Sequence, residues 1–235
     1  MADFHSDIAQ RLTAVRQRVA AAAVAAWRHP NDVRLLAVSK TFSLEHVRAA
    51  AAAGQTEFGE NRVQEGLQKV AGSADLKIRW HLIGTLQSNK AHKAATAFSM
   101  IHSVDSLKLL HLIDTAAAEA SARPEVLVQV DLAGEATKHG IPPAGAMDIV
   151  RAGSNCRSAR LMGLMTIPPY FDDPEKARPY FAGLRGLRDT LLKEGLEPGL
   201  LRELSMGMSH DFEIAVQEGA TIVRLGTAIF GNRHV

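Results

Sequence analysis

One stripe of apolar side chains at helical spacing runs through the first 29 residues. Residues that recur at intervals of three and four lie on a single face of an α-helix. The sequence His29-Pro30-Asn31-Asp32 then interrupts this pattern with residues that favour turns. We therefore predict an N-terminal helix within residues 1–29. The stripe consists of Phe4, Ile8, Leu12, Val15 and Val19.

From residue 33 the chain alternates between short apolar or β-branched runs and amphipathic stretches rich in alanine and leucine. The short runs fit buried strands, and the amphipathic stretches fit helices. Eight strands that alternate with helices in a chain of 235 residues predict a (β/α)₈ TIM barrel. An open doubly wound sheet is the alternative. The strand candidates are residues 33–39, 56–60, 78–84, 100–104, 125–132, 159–167, 202–207 and 221–226.

Glycines and small polar residues mark the expected ends of several helices. Gly54 and Gly219 stand where a helix would end before a strand, and glycine tolerates the left-handed conformation found at such ends. Ser43, Asp105 and Ser209 are candidate helix starts, because their side chains can cap free backbone N–H groups.

No linker rich in proline, glycine or serine divides the chain. The most broken stretch, residues 168–180, predicts a long loop on one face of the barrel. We therefore expect a single domain over residues 1–235, in which the helix within 1–29 precedes a barrel at 33–235.

Composition and charge exclude several classes of protein. The 27 basic and 25 acidic side chains give a net charge of +2, and no basic run is dense enough to follow a phosphate backbone, so we expect no nucleic-acid partner. Cys156 is the only cysteine, which excludes an internal disulfide and favours a reducing, cytoplasmic location. We expect no membrane span, because no apolar stretch is long enough, and no metal, because the ten histidines are scattered.

Candidate chemistry lies at the predicted carboxyl ends of the first and last strands. Lys40 follows the first strand, at the end where barrels place their active sites, although alone it is most simply interpreted as a surface lysine. The loops after strands seven and eight commonly bind phosphate in barrels, and here they contain Ser209, Gly226 and Thr227. Glycine lets a backbone N–H approach an anion closely, and the hydroxyl groups add further donors.

The lysine and the phosphate loops become neighbours when the barrel closes. A ligand with both an aldehyde and a phosphate would satisfy both features, since a lysine amine forms a Schiff base with an aldehyde. Pyridoxal 5'-phosphate (PLP) is such a ligand. A class I aldolase-type barrel, which forms its Schiff base with a sugar phosphate and needs no cofactor, is the alternative.

Several sequence blocks resemble those of the pyridoxal phosphate homeostasis proteins, in the same order and over nearly the whole chain. These proteins are single-domain relatives of the barrel half of bacterial alanine racemase. The resemblance implies a (β/α)₈ barrel of the alanine racemase N-terminal type (fold type III) with an extra N-terminal helix. The blocks are LLAVSKT (35–41), FGENRVQEG (58–66), WHLIGTLQSNK (80–90), IHSVDS (101–106), LVQVDLAGEATKHG (127–140), GLMTIPP (163–169) and LSMGMSHDFEIAVQEGATIVRLGTAIFG (204–231).

The resemblance also implies a set of cofactor-binding residues. Lys40 matches the lysine that forms the Schiff base with PLP, and three residues of the last two loops match those that hold the phosphate. Two further matches lie near the cofactor in the family. The complete set is Lys40, Asn61, Ser205, Ser209, Arg224, Gly226 and Thr227.

By the same resemblance, Arg224 faces the pyridine nitrogen of PLP. Arginine stays charged and cannot accept a proton, so it should keep this nitrogen unprotonated. An unprotonated ring is a poorer electron sink than a ring paired with a carboxylate. An ion pair between Arg224 and Glu60 at the barrel mouth is the alternative.

For several other side chains, a structural interpretation stands beside a functional one. His81 could line the site or bond to a neighbouring backbone group. Glu57 and Glu60 could each act as a general base, although a structural carboxylate is the commoner case. His139 is expected in a loop, and the methionines near the strand ends are expected to fill the core.

The resemblance implies a role in vitamin B6 homeostasis, in which the protein holds PLP and exchanges it with amines or delivers it to PLP-dependent apo-enzymes. Alanine racemase uses a second acid–base group, a tyrosine from the partner subunit's added β-domain, and no such domain follows the eighth predicted strand here. The two tyrosines present, Tyr170 and Tyr180, lie in the predicted loop. We therefore expect a monomer without substantial turnover. An amino acid racemase or transaminase of low activity is the alternative.

Overall fold

The apolar stripe of the N-terminal segment forms one face of a helix. In the computed structural model, α1 spans Ala2–Ala25, and Leu12 and Val15 on its inner face are buried in the main apolar core. The predicted interruption is a short 3₁₀ turn at Pro30–Asp32, where the His29 ring accepts a hydrogen bond from the backbone of Asn31. The prediction of an N-terminal helix is therefore confirmed.

The structure describes residues 2–134 and 139–231. Part of the sequence block 127–140 and the last residues of the predicted domain, 232–235, lie outside these ranges. Within the described residues, eight parallel strands close into a barrel, which confirms the (β/α)₈ prediction and excludes the open sheet. The strands are β1 (Arg34–Val38), β2 (Glu57–Glu60), β3 (Arg79–Leu82), β4 (Met100–Val104), β5 (Glu125–Gln129), β6 (Arg160–Met165), β7 (Glu203–Met208) and β8 (Ile222–Leu225).

Helices surround the barrel and cover its outer face. Their buried apolar residues and the outward-facing residues of the strands form one continuous core. No helix in residues 2–134 and 139–231 is both long enough and apolar enough to cross a lipid bilayer. The helices that follow α1 are α2 (Leu44–Ala52), α3 (Val63–Gly72), α4 (Ala91–Ala97), α5 (Leu107–Glu119), α6 (Ala146–Gly153), α7 (Arg178–Lys193), α8 (Phe212–Gln217) and α9 (Thr227–Phe230).

The helix ends follow the sequence signals in part. Gly54 and Gly219 have φ angles of 80° and 101°, as predicted for left-handed residues after α2 and α8. Ser43 stands directly before α2 as predicted, but its hydroxyl contacts His46 Nδ1 at 2.9 Å and does not cap a backbone N–H group. The prediction for Asp105 is wrong, because the next residue, Ser106, caps α5 by accepting a hydrogen bond from the backbone of Leu109.

Two further boundary predictions are corrected by the structure. Ser209 does not begin a helix, because Asp211 occupies the position before α8. The predicted loop 168–180 is shorter than expected, since a 3₁₀ turn at Pro174–Ala177 leads into α7. Proline is tolerated in the first turn of a helix, where its missing N–H would have no partner, and Pro179 therefore does not delay the start of α7.

The interior of the barrel contains a polar layer that the sequence analysis did not predict. Alternate residues of a strand face the same side, so every second residue points to the barrel axis. At the amino ends of the strands, these inward residues form ion pairs: Arg34 with Glu57 and Glu203 at 3.5 and 3.0 Å, and Arg79 with Glu57 and Glu125 at 3.3 and 2.6 Å. This network closes the amino end of the barrel, opposite the end at which barrels bind their ligands.

Candidate functional site

A cavity of about 680 Å³ opens at the carboxyl ends of the strands. The pairing of β1 with β8 brings the early lysine and the late loops to the same mouth, as predicted. Ser205, the seventh predicted residue, lies below the cavity and is fully buried. The six predicted residues that line the cavity are Lys40, Asn61, Ser209, Arg224, Gly226 and Thr227.

Lys40 follows β1, two residues beyond the buried Val38, which also lines the cavity. The alternation of side chains along β1, continued past its end, places Lys40 over the mouth of the barrel. The next residue, Thr41, has a φ of 69°, which is uncommon for a β-branched residue. Its backbone N–H donates a 2.6 Å hydrogen bond to the carboxylate of Glu65, and this contact holds the bend.

A buried ion pair lies behind this segment. Lys69 of α3 contacts the carboxylates of Glu60 and Glu65 at 2.7 and 2.9 Å, and the Ser39 hydroxyl donates to Glu60 at 2.7 Å. Burial raises the pKa of Glu60, although the hydrogen bonds from Lys69 and Ser39 oppose this shift. The alternative in which Glu60 pairs with Arg224 is therefore wrong, because the Glu60 carboxylate forms its ion pair with Lys69.

Arg224 of β8 forms the floor of the cavity and is 4% exposed. Its guanidinium donates to the Ser205 hydroxyl at 2.8 Å and to the backbone carbonyl of Thr166 at 2.9 Å. Burial lowers the pKa of Arg224 to about 10, and the nearby Asp211 carboxylate opposes the shift. The side chain is thus a charged donor with a fixed orientation at neutral pH.

The loops after β7 and β8 meet through one hydroxyl group. The Ser209 oxygen accepts hydrogen bonds from the backbone N–H groups of Gly226 and Ala228, at 3.2 and 3.4 Å. These two amides converge on one point beside the cavity, where an anionic oxygen would also find donors. A Cβ atom at position 226 would lie 3.3 Å from the carbonyl oxygen of Val38, so glycine keeps the loop close to the end of β1.

The cavity wall also contains residues that the sequence analysis did not assign to it. Gln129 and Asp131 continue the inward face of β5, and Gln129 donates to the backbone carbonyl of His139 at 2.7 Å. Tyr170 lines the mouth and is 74% exposed, with its ring stacked on His210. Inward alternation along β5 and past its end was the signal that would have identified Gln129 and Asp131.

His81 does not reach the cavity wall. It lies in the barrel interior, where its Nδ1 is 3.0 Å from Nε2 of His102, and it bonds to this side chain instead of the predicted backbone group. Glu57 lies at the amino end of its strand and belongs to the ion-pair network there. Within the part of the chain that is described, no cluster of His, Cys, Asp or Glu side chains is arranged to hold a metal ion.

Comparison with known proteins identifies the family. The model of the alanine racemase N-terminal domain matches residues 11–234. A pyridoxal phosphate homeostasis protein of Aquifex aeolicus is 43% identical over 224 residues, which cover 95% of this chain and 97% of that protein. The chain belongs to the pyridoxal phosphate homeostasis protein family. The resemblance of the sequence blocks to this family is therefore confirmed.

Solved structures agree with this family assignment. PipY of Synechococcus elongatus, solved with PLP bound, is 40% identical and superposes with a TM-score of 0.85, covering 95% of this chain and 100% of that one. An alanine racemase of Clostridium difficile is 14% identical, with a TM-score of 0.75, and the match covers 98% of this chain and 58% of the racemase. The second likeness concerns the fold alone, and it confirms the alanine racemase type of barrel.

Proposed function

We propose that this family member binds PLP in the cavity at the carboxyl end of the barrel and takes part in intracellular vitamin B6 homeostasis. The observation that carries the proposal is the convergence of Lys40, Arg224 and the Ser209–Gly226 contact on one cavity. This combination fits a flat ligand with an aldehyde at one end and a phosphate at the other. The structure of PipY with PLP bound supports the choice of ligand.

Each residue of the site has a role in the proposal. The Lys40 amine forms the Schiff base, and the amides of Gly226 and Ala228, with the hydroxyl groups of Ser209 and Thr227, hold the phosphate. PLP, when bound, supplies an aldehyde for imine formation and a ring that withdraws electrons. Asn61, at the end of β2, lines the wall of the same cavity.

The chemistry of the Arg224 side chain favours a carrier of PLP over an efficient enzyme. A guanidinium has no acceptor atom and stays charged, so it leaves the pyridine nitrogen unprotonated. The ring then withdraws electrons less strongly, which disfavours proton abstraction from a bound amino acid. Tyr170 is the tyrosine at the cavity, and its exposure leaves it poorly placed as a buried acid–base group. We therefore propose reversible exchange of PLP with amines at Lys40, without substantial turnover.

Delivery to PLP-dependent apo-enzymes, a monomeric state and a cytoplasmic location complete the proposal. The single cysteine, Cys156, is a free thiol, which suits a reducing compartment. Burial raises its pKa to about 11, so this thiol is poorly reactive. Gel filtration with light scattering tests the monomer, and transfer of PLP to a purified apo-enzyme tests the delivery.

The central test is to locate PLP on the chain. The purified protein, loaded with PLP and reduced with borohydride, should gain the mass of one pyridoxyl phosphate on the peptide that contains Lys40. Lys40→Ala should lose both this mass and the near-visible absorbance, whereas the exposed-surface control Lys93→Ala should keep both. Retention of the label in Lys40→Ala would refute the lysine assignment.

Two further assays separate the alternatives. A class I aldolase-type barrel would be colourless without PLP and would be trapped by borohydride only with a sugar phosphate present. A racemase of low activity would interconvert amino acid enantiomers in a chiral assay, in a manner that depends on Lys40. Turnover at an ordinary enzymatic rate would overturn the carrier proposal while leaving PLP binding intact.

A further inference from the structure

A line of buried polar side chains crosses the barrel interior beneath the cavity. Ser205, His102 and His81 come from three different strands, and all three are fully buried. Arg224 contacts the Ser205 hydroxyl at 2.8 Å, and this hydroxyl lies 2.9 Å from Nδ1 of His102. Nε2 of His102 lies 3.0 Å from Nδ1 of His81. The line therefore starts at the cavity floor and runs towards the amino end of the barrel.

Because Arg224 can only donate, one direction of hydrogen bonding satisfies every atom in the three contacts from Arg224 to His81. A guanidinium can only donate, so the Ser205 oxygen accepts from Arg224. The single proton of the Ser205 hydroxyl then has His102 Nδ1 as its acceptor, since no other acceptor for it is found among the described residues. A Ser205 hydroxyl that donates in this way requires His102 Nδ1 to be unprotonated, so the proton of a neutral His102 ring then lies on Nε2.

The same argument extends to the second histidine. His102 Nε2 donates to Nδ1 of His81, so the proton of His81 also lies on Nε2. Both rings are neutral: burial lowers the pKa of His81 to about 3, with Arg79 and Arg34 contributing, and burial also lowers the pKa of His102 well below its usual value.

At the far end of the line, His81 faces the carboxylate of Glu57, which can accept a hydrogen bond. His81 Nε2 lies 3.7 Å from Oε2 of Glu57, and within the described residues both of these buried atoms have no hydrogen-bond partner. The other oxygen of Glu57 is engaged by Arg34 and Arg79. With this direction of donation, the Nε2 proton of His81 faces the unpaired oxygen of Glu57. A shift of less than 1 Å would bring these two atoms within hydrogen-bond distance.

We infer that a one-way chain of hydrogen bonds from Arg224 through Ser205 and His102 to His81, whose Nε2 faces Glu57, positions the Arg224 guanidinium against the ring of the bound ligand. This inference rests on the proposed function, because it concerns the same site. Ser205, His102 and His81 are then positioning residues, and Ser205 acts from below the cavity through Arg224. The chain holds the guanidinium in one orientation and leaves its remaining N–H groups for the ligand.

The direction of the chain can be measured without any ligand. Protein labelled with ¹⁵N-histidine and stripped of PLP should show both buried histidines as neutral rings with the proton on Nε2, in two-bond ¹H–¹⁵N spectra at pH 7. The signals are assigned by NOE contacts to neighbouring strands, so no variant is needed. A proton on Nδ1 of either ring, or a charged ring, would overturn the one-way chain.

The positioning role is tested by Ser205→Ala, with Ser205→Thr as the variant that restores the hydroxyl. Loss of the hydrogen bond between Arg224 and Ser205 should raise the dissociation constant of PLP about tenfold and alter its near-visible spectrum, because this buried bond involves a charged group. Ser205→Thr should recover most of the affinity. Ser73→Ala, which removes a buried hydroxyl remote from the cavity, should bind PLP as the unmodified protein does.

The possible outcomes separate the two claims. If Ser205→Ala is folded and binds PLP as tightly as the unmodified protein, the positioning role is wrong even when Lys40 carries PLP. If the unmodified protein attaches no PLP at Lys40, the proposed function fails, while the histidine spectra still decide the direction of the chain.

Discussion

The ammonium group of Lys69 donates a 2.7 Å hydrogen bond to the backbone carbonyl of Ser39, the residue before Lys40. The same group contacts the carboxylates of Glu60 and Glu65, and Glu65 accepts the backbone N–H of the residue after Lys40. Lys69 is thus tied to both sides of the residue that we propose to carry PLP. A buried lysine is stable here because each of its donors has an oxygen acceptor.

Replacing Lys69 with methionine should destabilise the protein strongly. The substitution removes the cation but leaves the fully buried Glu60 without its partner, which typically costs about 3–5 kcal/mol. Urea unfolding at pH 7 measures the change, and the exposed-surface control Lys108→Met should stay within about 0.5 kcal/mol of the unmodified protein. Adding Glu60→Gln to Lys69→Met should recover part of the loss. A loss below about 1 kcal/mol would show that the ion pair does not support this segment.

Ser209→Ala should weaken the binding of PLP through the phosphate alone. A hydrogen bond to a charged group contributes about 1.5–3 kcal/mol, so we expect the dissociation constant to rise at least about tenfold. Pyridoxal, which lacks the phosphate, should bind equally well to Ser209→Ala and to the unmodified protein. The comparison of the two ligands by absorbance titration, with Ser154→Ala as a surface control, makes this test specific. An equal loss for both ligands would place Ser209 away from the phosphate.

The strands and the principal site residues followed from the sequence because their signals are local. Apolar or β-branched runs marked most of the strands, and residues directly beyond the strand ends had to meet at the mouth once the barrel closed. Lys40 and Gly226 illustrate this, since closure requires only that β1 pair with β8.

The polar interior could not be predicted in this way. His102 lies in a run of apolar residues, and its partners, His81 and Ser205, come from strands separated by many residues. Only the register of neighbouring strands decides which inward positions meet. The role of Lys69 was missed for the same reason, because a lysine within an amphipathic helix is usually solvated.

Gly84→Ala should be disruptive, because the loop after β3 passes against the backbone of Asn61. A Cβ atom at this position would collide with the Asn61 carbonyl group, so one of the two loops must move. We expect a loss of about 1–3 kcal/mol in unfolding free energy and weaker binding of PLP. Gly186→Ala in α7 is the matched control: its Cβ would meet no atom within 4 Å, and alanine should stabilise the helix by about 0.5–1 kcal/mol. A harmless Gly84→Ala would show that the wall at Asn61 is not tightly packed.

The buried histidines should make the stability of the protein depend on pH below neutrality. Burial lowers the pKa of His81 to about 3, with the charges of Arg79 and Arg34 contributing, whereas an unfolded histidine titrates near its ordinary value of 6.5. The pKa of His102 is also lowered by burial, with His81, Arg224 and Arg34 contributing. Between these values the unfolded chain binds more protons than the folded protein. The contribution to stability is therefore complete above about pH 6.5 and is lost as the pH falls towards the folded value.

The expected size of this effect is about 2 kcal/mol for His81 between pH 7 and pH 5, and His102 contributes in the same direction. Urea unfolding at several pH values over this range measures it. His81→Gln should unfold with a shallower dependence on pH, because one of the two groups no longer titrates. The exposed control His92→Gln should keep the full dependence, since it leaves both buried rings in place. A stability that is flat between pH 7 and pH 5 would mean that the two rings are accessible to protons in the folded protein.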